Sequence, residues 1–228
     1  MNTPFSIKFE TTPRGSSIMV VFVEKLHLEK SSKDFEEFEQ SLFKKIRLTN
    51  DLERLSQDPL LNSYRSLHWS YGMDPTKKRG SSEAVLRRVL QGENLWRISN
   101  LVDIVNIASA FHKIPIGLID ADKIQGQLIV RKARKGELFR RIGGEQIQCR
   151  GRELVLADDI GIVCYGFAIH DSDRTKVTKS SKSVLLLHYG SEGATKDILS
   201  EATSFTLELI RRWVNCDLSE PIRFVSNP

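Results

Sequence analysis

Residues 168–176, A-I-H-D-S-D-R-T-K, form the densest run of reactive side chains in this sequence. His170, Asp171 and Asp173 can carry protons, and a histidine within reach of a carboxylate is the material of general acid–base catalysis. Ser172, Arg174, Thr175 and Lys176 supply hydrogen-bond donors and charge with which a substrate could be held. By spacing alone these residues equally well form a solvated charged loop. A second pattern lies at 100–111, N-L-V-D-I-V-N-I-A-S-A-F. Asn100, Asp103, Asn106 and Ser109 recur every third residue, which places them on one stripe of a helix. The remaining positions are almost all apolar, so the helix must be buried. Each unsatisfied polar group there costs about 1–3 kcal/mol, so the stripe needs partners. Either it caps the helix and bonds within the core, or it faces a polar pocket. A third pattern spans 66–79, S-L-H-W-S-Y-G-M-D-P-T-K-K-R. Trp69 and Tyr71 beside Lys77, Lys78 and Arg79 can stack a base and neutralise phosphate, with Arg87 and Arg88 close behind. Buried anchoring aromatics explain Trp69 and Tyr71 as well.

The elements that must position these residues follow from periodicity. Residues 5–10 alternate apolar and polar as a strand, and I-M-V-V-F-V at 18–23 is a buried strand. Ser31 and Ser32 open an amphipathic helix carrying Phe35, Phe38, Leu42 and Ile46. Residues 52–61 continue it or form a second short helix, with Pro59 breaking the pattern. The stretch 66–79 reads as a loop around Gly72, Asp74 and Pro75. Ser81 or Ser82 caps a short helix ending at Leu90, and Asn100 caps the central helix. After it come short strands at 114–120, 127–131, 137–139, 147–149, 154–157, 160–165 and 183–188, with a hairpin signal at Ile142-Gly143-Gly144. Residues 194–214 are a last helix, and 222–225 a closing edge strand. Many short strands at close spacing argue for a sandwich or barrel-like β core, with a buried central helix beside it. Residues 1–70 read as a strand–strand–helix portion packed on the core, and 71–228 as one domain with its C-terminal helix.

Composition limits the function classes. The 228 residues are 40% hydrophobic and 28% charged, enough for one sizeable core. No apolar run approaches the roughly 18 residues of a membrane span, and the start lacks a signal peptide's apolar run. No membrane partner and a cytoplasmic setting are therefore expected. Cys149, Cys164 and Cys216 are odd in number and widely spaced, as suits core fillers rather than disulfides or a zinc site. The net charge of +5 is uneven. Lys/Arg and Asp/Glu number 10 and 10 over 1–70, 20 and 13 over 71–190, and 4 and 6 over 191–228. A basic middle suits an acidic partner such as RNA, or is simply a basic solvated surface. There is no P-loop, H-E-x-x-H or nucleophile elbow.

The order of motifs carries a resemblance. S-E-A-V-L-R-R-V-L at 82–90, N-L-V-D-I-V-N at 100–106, I-P-I-G-L-I-D-A-D-K-I-Q-G at 114–126, R-K-A-R-K-G-E at 131–137, L-A-D-D at 156–159 and S-D-R-T-K-V-T at 172–178 together resemble the stand-alone B3/B4-domain proteins. These are similar to the editing domain of the phenylalanyl-tRNA synthetase beta subunit, which hydrolyses tyrosine wrongly attached to the phenylalanine tRNA. The resemblance implies an α+β fold, a β-sandwich-like core of short strands with a buried central helix and flanking helices. It implies a cleft for the aminoacylated 3′ end of a tRNA, or an aminoacyl-adenosine-like ligand, and neither metal nor cofactor. It implies ester hydrolysis by a positioned water, without aminoacylation; a non-catalytic small-molecule or RNA-binding module on the same fold is the alternative. Asp103 and Asn106 stand at the synthetase's V-D-x-x-N motif, and Asp120 at the aspartate of its turn. Gly117 stands where the synthetase commonly has a histidine. The synthetase's glycine-rich acidic loop is replaced by 170–176, which leaves His170 as a local substitute. The expected substrate-binding set is therefore Asp103, Asn106, Ser109, Gly117, Asp120, Ser172, Arg174, Thr175 and Lys176. The catalytic set is His170, Asp171 and Asp173, and the phosphate contacts are Lys77, Lys78, Arg79, Arg87 and Arg88.

Overall fold

A computed structural model describes residues 5–11, 13 and 15–226, with the side chains of 219–223 left out; residues 1–4, 12, 14, 227 and 228 lie outside the described residues. In chain order the strands are β1 (Ile7–Phe9), β2 (Ser17–His27), β3 (Ile116–Asp120), β4 (Leu128–Lys132), β5 (Lys135–Arg140), β6 (Gln146–Arg150), β7 (Leu154–Ala157), β8 (Ile162–Tyr165), β9 (His170–Asp171), β10 (Val184–Gly190) and β11 (Asn215–Ser226). The helices are α1 (Lys33–Thr49), α2 (Pro59–Ser70), α3 (Ser81–Leu90), α4 (Asn100–His112) and α5 (Lys196–Trp213). The fold is α+β. One sheet runs β1-β4-β7-β8-β9, a second runs β11-β2-β10-β3, and β5-β6 stand apart as a hairpin.

The two apolar runs of the sequence, β2 and β10, are central in the second sheet and pair antiparallel from Val23↔Val184 to Ser17↔Gly190. Both faces of that sheet are covered, which is why these strands read as continuous rather than alternating apolar runs. Ile18, Val20, Phe22, Ile119, Leu185, Leu187 and Tyr189 point to the first sheet and meet Leu128, Val130, Val155 and Val163. Met19, Val21, Val23, Leu118, Val184 and Leu186 point the other way, onto Phe35, Phe43, Leu86, Leu101, Ile104 and Ile210 of the helices. The molecule is thus three layers, sheet on sheet on helices, and the short strands do form a sandwich. The closing edge strand is longer than its sequence signal: β11 begins at Asn215 and borders β2.

Three local expectations change. Pro59 begins α2 instead of breaking a helix, because Asp58 caps it: its Oδ1 accepts from the Leu61 N–H at 3.0 Å. Proline at the first helical position loses no hydrogen bond. As a result 66–70 is helix rather than loop, His68 is buried inside it, and Trp69 is exposed. The N-cap of α4 is Ser99, whose Oγ accepts from Val102 N, so Asn100 is the first helical residue. Gly80, not a serine, occupies the cap position of α3.

Candidate functional site

The turn from β8 to β9 is the most strained described backbone. Gly166, Phe167 and Ala168 have φ values of 65°, 50° and 61°. Left-handed backbone costs an L-residue roughly 1–2 kcal/mol, so two such non-glycine residues in a row must be held from outside. They are. His68 Nε2 donates to the Gly166 carbonyl at 2.9 Å, the Ser81 N–H donates to the Ala168 carbonyl at 3.2 Å, and the Ala168 N–H lies 3.0 Å from Cys164 Sγ. α2 and α3 therefore fix the turn, and the turn fixes β9.

β9 carries His170 and Asp171, which pair across to Tyr165 and Cys164. Adjacent strand residues face opposite ways, so this histidine and aspartate are not brought together as an acid–base pair. His170 is half-buried, its ring near-parallel to Tyr165 at 6.4 Å, and Tyr165 is stacked in turn on Phe139 at 5.7 Å. Lys78 Nζ lies 5.3 Å from the Tyr165 ring centre. Burial, then the charges of Arg141 and Lys78, lower the His170 pKa to about 4, so the ring is neutral at pH 7. Arg141 is ion-paired with Glu145, but its buried Nε has no hydrogen-bond partner.

Asp171 turns inward. Its Oδ2 accepts from the Leu118 N–H at 3.5 Å, its Oδ1 is sealed from solvent without a partner, and burial raises its pKa to about 6. Its neighbours are Cys164, the fully buried Tyr189 and Gly117. A Cβ on Gly117 would stand 2.9 Å from Tyr189 Cε2 and 3.5 Å from Asp171 Oδ1. Tyr189 therefore occupies the room that a side chain at 117 would need. Around β9 the structure brings together Gly117 with Asp171, and Lys78 with His170.

The others are engaged elsewhere. Asp173 is paired with Lys176 at 2.7 Å, which lowers its pKa. Arg174 reaches Asp158 Oδ1 at 2.6 Å and the Lys123 carbonyl at 3.0 Å, a clamp between loops. Ser172 Oγ accepts from the Arg174 N–H, and the Thr175 carbonyl accepts from the Asp120 N–H. The Asp120 carboxylate takes Ser181 Oγ at 2.6 Å and Lys123 Nζ at 3.0 Å. The polar stripe of α4 is used inside the fold. Asp103 accepts from Ser31 Oγ at 2.7 Å and from the Ile98 N–H at 2.9 Å, and Ser109 Oγ donates to the Ile114 carbonyl at 2.7 Å. Asn106 is half-buried. α4 packs on the helix face of the second sheet, whereas Phe167, Ala168 and Ile169 pack on the opposite face. The expectation that Asp103, Asn106 and Ser109 floor a cavity beside 168–176 is therefore corrected: the sheet lies between them.

The expected phosphate contacts divide. Arg87 Nε is bound to buried Glu83 at 2.8 Å, with Arg65 on the same carboxylate, and Arg88 is held by Glu93 at 2.5 Å. Lys77 and Arg79 are exposed, with carboxylates only at 3.9 Å. Sequence reasoning missed Tyr165, Arg141 and Tyr189, and placed His68 in a loop rather than on α2. Only the register of β8 on β9 pairs Tyr165 with His170, and the sequence does not display that register. Among the described residues no cluster of three or more His, Cys, Asp or Glu could hold a metal, and no helix is long and apolar enough to cross a membrane.

A family model described as the B3/4 domain matches residues 63–196. Among curated proteins the chain is 30% identical over 109 residues to the phenylalanine–tRNA ligase beta subunit of Bartonella henselae, covering 48% of this chain and 13% of that one. It is 34% identical over 85 residues to the Rhodopseudomonas palustris beta subunit, 37% of this chain and 11% of that one. The match to the Fusobacterium nucleatum beta subunit is 28% over 127 residues, 56% and 14% of the two chains. Each match thus takes in little more than a tenth of the relative's length. A crystal structure of an N-terminal fragment of the Pyrococcus horikoshii phenylalanyl-tRNA synthetase beta subunit aligns with a TM-score of 0.48 at 14% identity, over 94% of this chain and 50% of that one.

Proposed function

The chain belongs to the B3/4 domain family, and from that membership we propose that it takes the aminoacylated 3′ end of a tRNA beside His170 and hydrolyses the aminoacyl ester. The observation that carries this reading is a neutral imidazole flanked by two cations, Lys78 and Arg141. A neutral His170 accepts a proton from a water attacking the ester carbonyl. The oxyanion so formed is matched by the neighbouring positive charges, and the ribose oxygen departs with the proton. A pKa near 4 makes the free ring a weak base. An anionic substrate or oxyanion offsets the two cations and so relieves part of that depression, while the burial that is its largest cause remains. The relatives named as phenylalanine–tRNA ligase beta subunits make phenylalanine tRNA carrying a wrong amino acid the first substrate to try.

A second reading, binding without turnover, is favoured by one observation: Asp171 faces away from His170, so the histidine has no carboxylate to orient it. Incubation of the purified chain with a panel of correctly and wrongly charged tRNAs separates the two. Under the first reading a charged tRNA loses its amino acid faster than in buffer, and His170→Ala lowers that rate by about 10²-fold or more. Binding without deacylation supports the second. Neither binding nor deacylation with any charged tRNA removes both.

A further inference from the structure

The positive charge of this chain is concentrated in one place. Residues 131–153 hold eight Lys/Arg and three Asp/Glu, an excess of five, which equals the net charge of the whole molecule. Outside this segment the chain is balanced. The segment is β5, β6 and their flanks, the hairpin that belongs to neither large sheet. Its three carboxylates are all consumed. Glu137 is held by Arg131 at 2.9 and 2.6 Å, Glu145 by Arg141, and Glu153 accepts the backbone N–H groups of Arg150, Gly151 and Arg152 at 3.0–3.1 Å. Arg134, Lys135, Arg140, Arg150 and Arg152 are exposed, and none forms an ion pair within 4.0 Å among the described residues. Inward, only Phe139 and Cys149 of the two strands are buried.

We propose that the β5–β6 hairpin is a separate RNA-binding element that grips the phosphate backbone of an RNA helix. Five unpaired cations on a narrow ribbon create a field that any polyanion feels. Four of the five are arginines, whose planar fork matches phosphate oxygens in pairs. Exposed Gln146 and Gln148 lie between them on β6 and can bond ribose hydroxyls. A membrane-bound ribbon would instead need a broad apolar face. Here the exposed apolar groups are Leu138 and Ile142, and the charged Arg140 stands between them in the chain. The hairpin adjoins the candidate site: the Asp173 N–H donates to the Arg140 carbonyl at 2.9 Å, and the Ile142 N–H to the Asp171 carbonyl at 3.1 Å. A tRNA whose 3′ end reaches His170 would therefore present its helix to this ribbon. Naming the polyanion as RNA rests on the function proposed above; the charge argument does not.

The test uses the full chain with Arg134, Lys135, Arg140 and Arg150 all changed to Ala, beside His170→Ala. Binding of a tRNA lacking its 3′-terminal nucleotides, and of a blunt RNA duplex, is measured from 50 to 200 mM salt. The unaltered chain and His170→Ala bind both RNAs with a steep salt dependence. The fourfold variant, with an unchanged melting temperature, binds at least 30-fold more weakly at 50 mM salt. Its slope of log affinity against log salt is flatter by about three. Unchanged affinity and slope in the fourfold variant overturn the proposal. So does hairpin-dependent binding to vesicles containing anionic phospholipid with none to RNA. Deacylation that is absent while hairpin-dependent RNA binding persists sinks the proposed function alone; deacylation that survives with RNA binding indifferent to the hairpin sinks this inference alone.

Discussion

Gly117 shows what a single missing side chain controls. It sits on β3 against Tyr189, which is fully buried and packed on Phe167 with ring centres 4.9 Å apart. A methyl group at 117 would meet the tyrosine ring at 2.9 Å, and that ring is fully buried. Gly117→Ala is therefore expected to lower the unfolding free energy by about 1–3 kcal/mol, the usual cost of overpacking. The same substitution in a Tyr189→Leu background should cost measurably less. Equal costs in the two backgrounds, read from urea unfolding, would show that the tyrosine is not the obstacle. The sequence displayed the glycine, but not the reason. Tyr189 is 72 residues away in the chain, and only the register of β10 against β3 brings it there. Asp171 has the same history. Its residue type announced chemistry, while its direction, away from His170, followed from strand alternation that no local signal at 168–176 revealed.

At the scale of elements, the same polar residues that looked like a pocket lining are joints. Asp103 ties α4 to the start of α1 through Ser31, and the 91–99 connection is tied to α1 by Arg97. The Arg97 guanidinium pairs with Glu39, which is fully buried on α1. Burial raises the Glu39 pKa even with the arginine beside it, and the arginine is what opposes that rise. Arg97→Ala strands it, and a loss of about 3–5 kcal/mol is expected at pH 8. At pH 5 the loss should be smaller, because an unpaired Glu39 then takes up a proton. Denaturation at the two pH values checks this; an equal loss at both would mean that the arginine acts by packing alone. Helix positions were legible because apolar spacing is local: Ser32 and the run 100–111 sufficed. What the stripe on α4 faces was not legible. A buried Asp needs partners, and whether these come from a ligand or from Ser31 is settled by packing 72 residues away. Pro59 misled for a related reason, since a proline both ends helices and starts them, and only Asp58 before it decides.

For the molecule as a whole, three layers leave little room for charge, and the histidines record this. His68 holds the strained turn, His188 lies between the second sheet and α5 with Nε2 at 3.1 Å from Thr206 Oγ1, and His170 faces the candidate site. Burial lowers their pKa values to about 4, about 3 and about 4. Near pH 6.5 the unfolded chain begins to bind protons at these positions, while the folded chain does not until pH falls to about 4. Their contribution to stability is therefore complete above pH 6.5 and lost as pH falls toward 4. Asp171 works in the opposite sense. Raised to about 6, it holds a proton in the folded state that the unfolded chain releases near 3.8, so it favours the folded state less as pH rises through that window. His112, also lowered by burial, joins the three histidines, and Glu39, raised by burial, joins Asp171. The histidines outnumber the carboxyls by two, a net loss on acidification between pH 6 and 4 on the order of two protons, or roughly 2–3 kcal/mol per pH unit. Below about pH 4 the carboxylates held ionised by partners, Glu83 by Arg65 and Arg87 and Glu137 by Arg131, add to the loss as they are protonated. Urea midpoints should thus fall steeply from pH 6.5 to 4.5, and His188→Asn should flatten that slope by close to one proton. Because protonated His68 places a charge on its buried, unpartnered Nδ1, the β8–β9 turn should lose its protection from hydrogen exchange before the second sheet does. A midpoint independent of pH across this range would mean that these rings are open to water, and with that the neutral His170 on which the proposed hydrolysis depends would be lost.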